Sequence, residues 1–202
     1  GSKSVNERLD LLKICSKIIF NSDWSKDRFL TKLDSIYTKS QKLIVIRQST
    51  HKQKVNLKNK QKIITFVGKL NKAKGYDVFG AAILEILNQY KDWKAIVIGD
   101  EEREKHYFNH ERLKILGFKE HSDVIKIFKK ADISVVCSRW EEPFGRTSLE
   151  SASCGCAVII TNRGGLPETI TNGVILKKLN KREVYNAISN LIKNKKFKRE
   201  IQ

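Results

Sequence analysis

No apolar run in the 202 residues approaches the roughly 20 that a membrane span requires, so no crossing of a bilayer is expected. Methionine is absent altogether. The opening Gly1-Ser2-Lys3-Ser4 is polar and lacks the apolar centre of a signal peptide; Gly1 and Ser2 read as a cloning remnant ahead of the native sequence. Cysteine is sparse, at Cys15, Cys137, Cys154 and Cys156, with no paired framework, which points to a reducing cytosol. Cys154-x-Cys156 lacks the second close pair that a structural zinc site wants, and reads as small buried or helix-end thiols. His106 and His110 lie four apart on an expected helix, but without further ligands they read as a solvated pair, so neither a metal nor a cofactor is expected. Acidic residues are also short: 22 Asp and Glu against 40 Lys and Arg leave a net charge of +18. That balance suits a nucleic acid, an anionic membrane face or a phosphate-bearing substrate. Nucleic-acid binding would want aromatic platforms among the charges, and the aromatics here sit mostly at helix-core spacing, so no nucleic-acid partner is expected. The lysines of 126–130 and 193–198 read as solvated helix faces.

What is present is an alternation. From Lys62 onward, short β-branched runs (Ile63 to Val67, Ala95 to Ile98, Leu113 to Leu116, Ile133 to Cys137, Ala157 to Ile160) are separated by segments of helical period. Phe79, Ala82, Ile83, Ile86, Leu87 and Tyr90 form one apolar stripe; Val124, Ile127, Phe128 and Ala131 form another. Buried strands covered by amphipathic helices predict a doubly wound parallel α/β sheet. The first sixty residues differ, reading as a helix, a strand (Ile18 to Phe20), a helix begun at Asn21-Ser22-Asp23 and running through Leu33, and a strand from Leu43 to Ile46. Residues 3–46 are therefore expected to be the tail of a preceding domain, 47–61 a polar linker, and 62–202 the main domain.

In such a sheet ligands sit beyond the carboxyl ends of the strands, so the loops after strands hold the candidates. The first is Gly68-Lys69-Leu70-Asn71-Lys72-Ala73-Lys74-Gly75, a glycine-bounded, cation-rich turn suited to a diphosphate. It matches neither G-x-G-x-x-G nor the Walker pattern, so hydride transfer and ATP hydrolysis lose support. The second runs from Ser138 to Glu150 through Glu142-Pro143-Phe144-Gly145-Arg146. Amides near Phe144, Gly145 and Arg146 at a helix start can hold phosphate or sugar oxygens, and a carboxylate accepts two neighbouring hydroxyls. Glu142 would lie in the loop and Glu150 inside the helix, where a charge flanked by Leu149 and Ala152 needs a partner. The third is Arg163-Gly164-Gly165-Leu166-Pro167-Glu168, a turn that lets backbone approach a ligand closely. Taken singly, the first and third loops are explained about as well by ordinary turns.

Together they form a known pattern. Ser138-x-x-x-Glu142-Pro-Phe-Gly-x-x-x-Leu-Glu150-x-x-x-Cys-Gly, with its E-x7-E spacing, closely resembles the family 4 group of retaining glycosyltransferases. The first and third loops stand where that family has its other donor-site loops. The resemblance runs from about Lys62 to Lys177, and more weakly from Glu7 to Ile46. It implies a Rossmann-like C-terminal domain of the two-domain GT-B fold, preceded by part of the N-terminal domain. It implies further that Lys69 and Lys74 bind a donor diphosphate and that Glu142 contacts the transferred sugar. Gly68, Phe144, Gly145, Arg146, Gly164 and Gly165 would line the nucleotide-sugar site, Glu150 would hold the ribose, and the backbone at Gly117-Phe118-Lys119 would read the base. Lys69 stands where the family carries arginine, keeping the charge and losing the planar fork. A proline that often precedes the last strand is replaced by Cys156.

The implied reaction moves a sugar from a nucleotide diphosphate, such as a UDP- or GDP-sugar, to an acceptor hydroxyl with retention, the departing diphosphate stabilised by Lys69, Lys74 and helix amides. The expected partners are that donor, a sugar or lipid-linked acceptor in polysaccharide or lipopolysaccharide synthesis, and the anionic inner face of the cytoplasmic membrane. Alone, the chain is expected to bind donor but to transfer slowly, because donor and acceptor meet between two domains. Three other readings stay open: a nucleotide-sugar epimerase of the same architecture, a non-enzymatic nucleotide-sugar-binding module, and a basic nucleic-acid-binding domain.

Overall fold

The computed structural model describes residues 4–202. The expected remnant at Gly1 and Ser2, and Lys3 at the head of the expected tail, lie outside them. Helix α1 (Val5–Ile14) opens on a capping box: the Ser4 hydroxyl accepts from the Glu7 amide at 3.2 Å and the Glu7 carboxylate accepts from the Ser4 amide at 2.6 Å. Strand β1 (Ile18–Phe20) pairs in parallel with β2 (Leu43–Val45), with Ile18 opposite Leu43. Between them α2 (Asp23–Leu30) is capped by Ser22, whose hydroxyl accepts from the Ser25 amide. The helix stops three residues short of the expected Leu33, because the buried Arg8 guanidinium draws the carbonyls of Phe29 and Thr31 to itself and turns the chain. Leu12, Phe20 and Leu43 close a small core of their own.

The rest is one six-stranded, wholly parallel sheet: β3 (Gln61–Val67), β4 (Lys94–Ile98), β5 (Leu113–Ile115), β6 (Ala131–Val136), β7 (Ala157–Thr161) and β8 (Val174–Leu176), in the order β5-β4-β3-β6-β7-β8. The order reverses between β3 and β6, which makes that point the crevice of a doubly wound sheet. Alternation along the strands separates two cores. Ile64, Phe66, Val97, Ile133, Val135 and Ile159 face α3 (Tyr76–Gln89) and α6 (Lys181–Lys193). Ile63, Ile98, Val158 and Ile160 face α4 (His121–Lys130) and α5 (Arg146–Ser153). A last helix, α7 (Lys195–Glu200), follows α6.

Three expectations need correction. Residues 101–112 form an irregular loop, not a helix. Two of its carboxylates are bonded both within the loop and to the loop after β3: Glu101 accepts from Asn71 and Arg103, and Glu104 accepts from the Lys72 amide and pairs with His106 at 2.6 Å. His106 stacks on Phe108, and His110 accepts from the Arg112 amide, so the two rings do not form a pair. Lys198 is not solvated; it is 7% exposed and ion-paired with Asp132, itself buried. Lys60, at the end of the polar stretch, donates to the carbonyls of Phe128, Ala131 and Cys154 at 2.6 to 2.8 Å, tying the ends of α4 and α5 to the start of β3. Strand β8, three residues long, was not foreseen.

Candidate functional site

The loops that follow β3 and β6 cross at the switch point. Ala73 is the hub: its carbonyl accepts from the Arg139 and Trp140 amides at 2.8 and 3.0 Å and from the Ser138 hydroxyl at 3.2 Å. Asn71 caps the short 3-10 turn of 72–74 by accepting from the Lys74 amide. At Gly75 (φ +74°) a Cβ would fall 1.9 Å from the Cys137 carbonyl oxygen, so a side chain there would drive the two loops apart. Arg139 reaches across to Asp77 with two hydrogen bonds of 2.6 and 2.8 Å. Partial burial opposes ionisation of Asp77, but these bonds outweigh it and hold its carboxyl below the usual range.

Where the loops meet, a small cavity of about 80 Å³ is lined by Gly68, Lys74, Ser138, Glu142, Gly145, Arg146, Thr147 and apolar ends of β3 and β6. The Lys74 ammonium ion-pairs with the Glu142 carboxylate inside it. Helix α5 begins beside them at Gly145 without a side-chain cap, so its first amides and the positive end of its dipole are free to meet an anion. The third loop fixes Glu142 from behind: the Gly165 amide donates to the Glu142 carbonyl at 2.7 Å, and a Cβ on Gly164 (φ +59°) would come within 2.1 Å of that oxygen.

Of the residues singled out in the sequence, Gly68, Lys74, Glu142, Gly145 and Arg146 therefore converge, with Gly164 and Gly165 as backing. Phe144 is buried and does not line this cavity. Glu150 is also buried, 7% exposed, with two basic side chains against it: Arg146 lies one helical turn away with bonds of 2.9 and 3.2 Å, and the His121 Nε2 stands at 3.1 Å. Phe118 is exposed, following the positive-φ Gly117 whose carbonyl accepts from Gly99. Lys69 stands apart, on a separate hollow with Asp100, Glu101, Glu102 and Arg103. The sequence reading missed His121, which reaches Glu150 from another helix, and Thr147, legible only as a neighbour in the helix start. It also missed the role of Glu168, whose carboxylate caps α2 by accepting from the Asp23 and Trp24 amides, both at 2.8 Å. The Cys137 thiol behind the site is pushed up to about 12 by burial, which makes it a poor nucleophile.

A cradle of cation, carboxylate and helix amides at the switch point can hold an anion together with hydroxyl groups. The sequence profile described as Glycosyl transferases group 1 matches residues 47–202. The chain belongs to this family. Among its curated relatives, spore coat protein SA of Bacillus subtilis (strain 168) is 29% identical over 126 residues, covering 56% of this chain and 33% of that protein. The phosphatidylinositol N-acetylglucosaminyltransferase GPI3 subunit of Saccharomyces cerevisiae is 30% identical over 118 residues, covering 54% of this chain and 26% of that protein. The chain thus spans about a third or less of the length of these relatives. In solved structures, Anabaena Alr3699/HepE in complex with UDP and glucose superposes with a TM-score of 0.79 at 20% identity, over 97% of this chain and 59% of that one. The C-terminal domain of the Francisella tularensis group 1 protein LpcC gives 0.62 at 26% identity, over 71% and 82%. The six-stranded domain is therefore the Rossmann-like domain of the GT-B fold. No helix among the described residues is long and apolar enough to cross a membrane.

Proposed function

We propose that this chain is the donor-binding part of a retaining glycosyltransferase of the family 4 type, moving a sugar from a nucleotide diphosphate to an acceptor hydroxyl. The observation that carries the reading is the Lys74–Glu142 pair, set at the switch point beside the uncapped start of α5. A diphosphate entering there would meet the Lys74 ammonium and the α5 amides, which stabilise the charge that builds on the leaving group. Glu142, released from Lys74, would accept from two hydroxyls of the transferred sugar. Glu150 would take the ribose, Phe118 and its backbone would face the base, and Lys69 would approach the diphosphate from the neighbouring hollow. Glu142 is a holding group rather than a nucleophile, because no second carboxyl among the loop residues lining the small cavity faces it across a bond to be broken. Retention then follows from attack on the face the diphosphate leaves, with the departing phosphate taking the proton.

The UDP and glucose bound in the HepE structure, and the phosphatidylinositol in the name of the yeast relative, favour a UDP-sugar donor and a lipid-linked or polysaccharide acceptor. The inner face of the cytoplasmic membrane is the place for such an acceptor, and the lysine excess suits its anionic lipid. Calorimetry with UDP, GDP and their sugars tests the donor reading; undiminished binding of either nucleotide by Lys74→Ala would overturn the site. The anomeric configuration of the product, read by NMR, tests retention.

A further inference from the structure

A second, larger cavity of about 580 Å³ opens on the far side of the loop that carries Glu142. Its walls come from both parts of the molecule: Trp24, Ser25 and Arg28 from α2, and Arg139, Trp140, Glu141, Pro143 and Arg163 from the loops beyond β6 and β7. Residues of one loop thus divide between two cavities, Ser138, Glu142 and Gly145 lining the small one and Trp140, Glu141 and Pro143 the large one. The join is not incidental. Ser22 and Ser25 hydroxyls donate to the Pro143 carbonyl, and Glu168 caps α2 at the Trp24 amide.

The lining has a definite chemistry. Arg139 is already neutralised by Asp77, whereas Arg28 and Arg163 have no carboxylate partner among the described residues. Two guanidiniums aimed into one space suit a phosphate or carboxylate, which they grip through paired N–H donors. A bare anion would not explain the other walls. Trp24 and Trp140, the latter 60% exposed, present flat apolar faces suited to the C–H faces of a sugar ring, and Glu141 supplies an acceptor for its hydroxyls. The volume falls in the range of small-molecule sites.

We infer that this cavity binds a saccharide carrying an oxyanion, with Arg28 and Arg163 on the anionic group and Trp24 and Trp140 on the ring. Its role as the acceptor site rests on the donor reading above, since the two cavities share the Glu142 loop; its binding chemistry does not. The tryptophans supply the readout, because the third, Trp93, is buried at 4% exposure in the core. Fluorescence is followed while the chain, with and without saturating UDP, is titrated to ~50 mM with glucose, glucose 6-phosphate or glucuronic acid. At least one anionic sugar should quench with an affinity about tenfold above that of glucose, whether or not UDP is present. Response to glucose 6-phosphate alone assigns a phosphate, to glucuronic acid alone a carboxylate. Arg28→Gln combined with Arg163→Gln, both exposed positions, should erase the preference. Equal response to all three sugars, a preference that survives the double substitution, or displacement of the anionic sugar by UDP overturns the proposal. If UDP does not bind but the anionic preference persists, the donor reading fails and the saccharide site stands.

Discussion

Lys74 and Glu142 neutralise each other in the structure, and that has a consequence for each substitution. On the proposed reading a diphosphate would have to displace the carboxylate from the ammonium, so the pair would weaken nucleotide binding while Glu142 awaits sugar hydroxyls. Lys74→Ala removes a charged donor, and UDP affinity should fall roughly ten- to a hundredfold, the equivalent of about 1.5–3 kcal/mol. Glu142→Gln should act oppositely: UDP alone binds more tightly because a repelling carboxylate is gone, while the advantage of UDP-glucose over UDP shrinks. Calorimetry on the two variants reads both signs, and parallel losses would refute this division of labour. Gly164 makes a purely steric case. Alanine at φ +59° is strained, and its Cβ would fall within 2.1 Å of the Glu142 carbonyl oxygen. Gly164→Ala should cost about 2 kcal/mol of stability by urea unfolding and weaken UDP-glucose binding as the Glu142 loop shifts.

The α2 helix has its amino end held by a carboxylate that lies more than a hundred residues away. Burial opposes ionisation of Glu168, but the Trp24 and Asp23 amides and Arg47 outweigh it and hold its carboxyl below the usual range. A carboxyl depressed on folding stabilises the native state above its unfolded value near 4.5, and that stability is lost as pH falls from there through the folded value. Between pH 6 and 3 the urea midpoint of the parent should therefore drop more steeply than that of Glu168→Gln, which has no charge to lose; parallel curves would disprove the linkage. None of this was legible in the sequence, where Glu168 was only the end of a glycine turn. Local signals were legible: Ser22 as a cap, the β-branched runs of β3, β4, β6 and β7, and the stripes of α3 and α4. Elements decided by distant contacts were not. Helix α2 ends where Arg8 captures its carbonyls, residues 101–112 run as a loop whose Glu101 and Glu104 reach Asn71 and the Lys72 amide, and β8 exists only as an edge on β7.

At the scale of the whole molecule, the same limit applies to the lysines. Net charge and amphipathic spacing describe where most of them lie, but not which are used as internal fasteners. Lys60 ties three carbonyls at the closed end of the sheet, and burial there lowers its pKa. Lys198 pins α7 to Asp132 at the start of β6, where Gln202 also donates to Asp132 at 2.7 Å and to the Gly155 carbonyl at 3.1 Å. Both sit opposite the crevice, at the amino-terminal ends of the strands, so they bear on stability rather than on ligand binding. Replacing one partner of a buried ion pair leaves the other charge stranded, at a cost of about 3 kcal/mol. Lys198→Met should accordingly lower the melting temperature by roughly 6–12 °C, at roughly 2–4 °C per kcal/mol for a chain of this size. Asp132→Asn combined with Lys198→Met removes both charges and should recover much of that loss, with UDP affinity unchanged in either protein. A melting temperature indifferent to Lys198→Met would mean that α7 is held by Phe197 and Ile201 packing on the core alone.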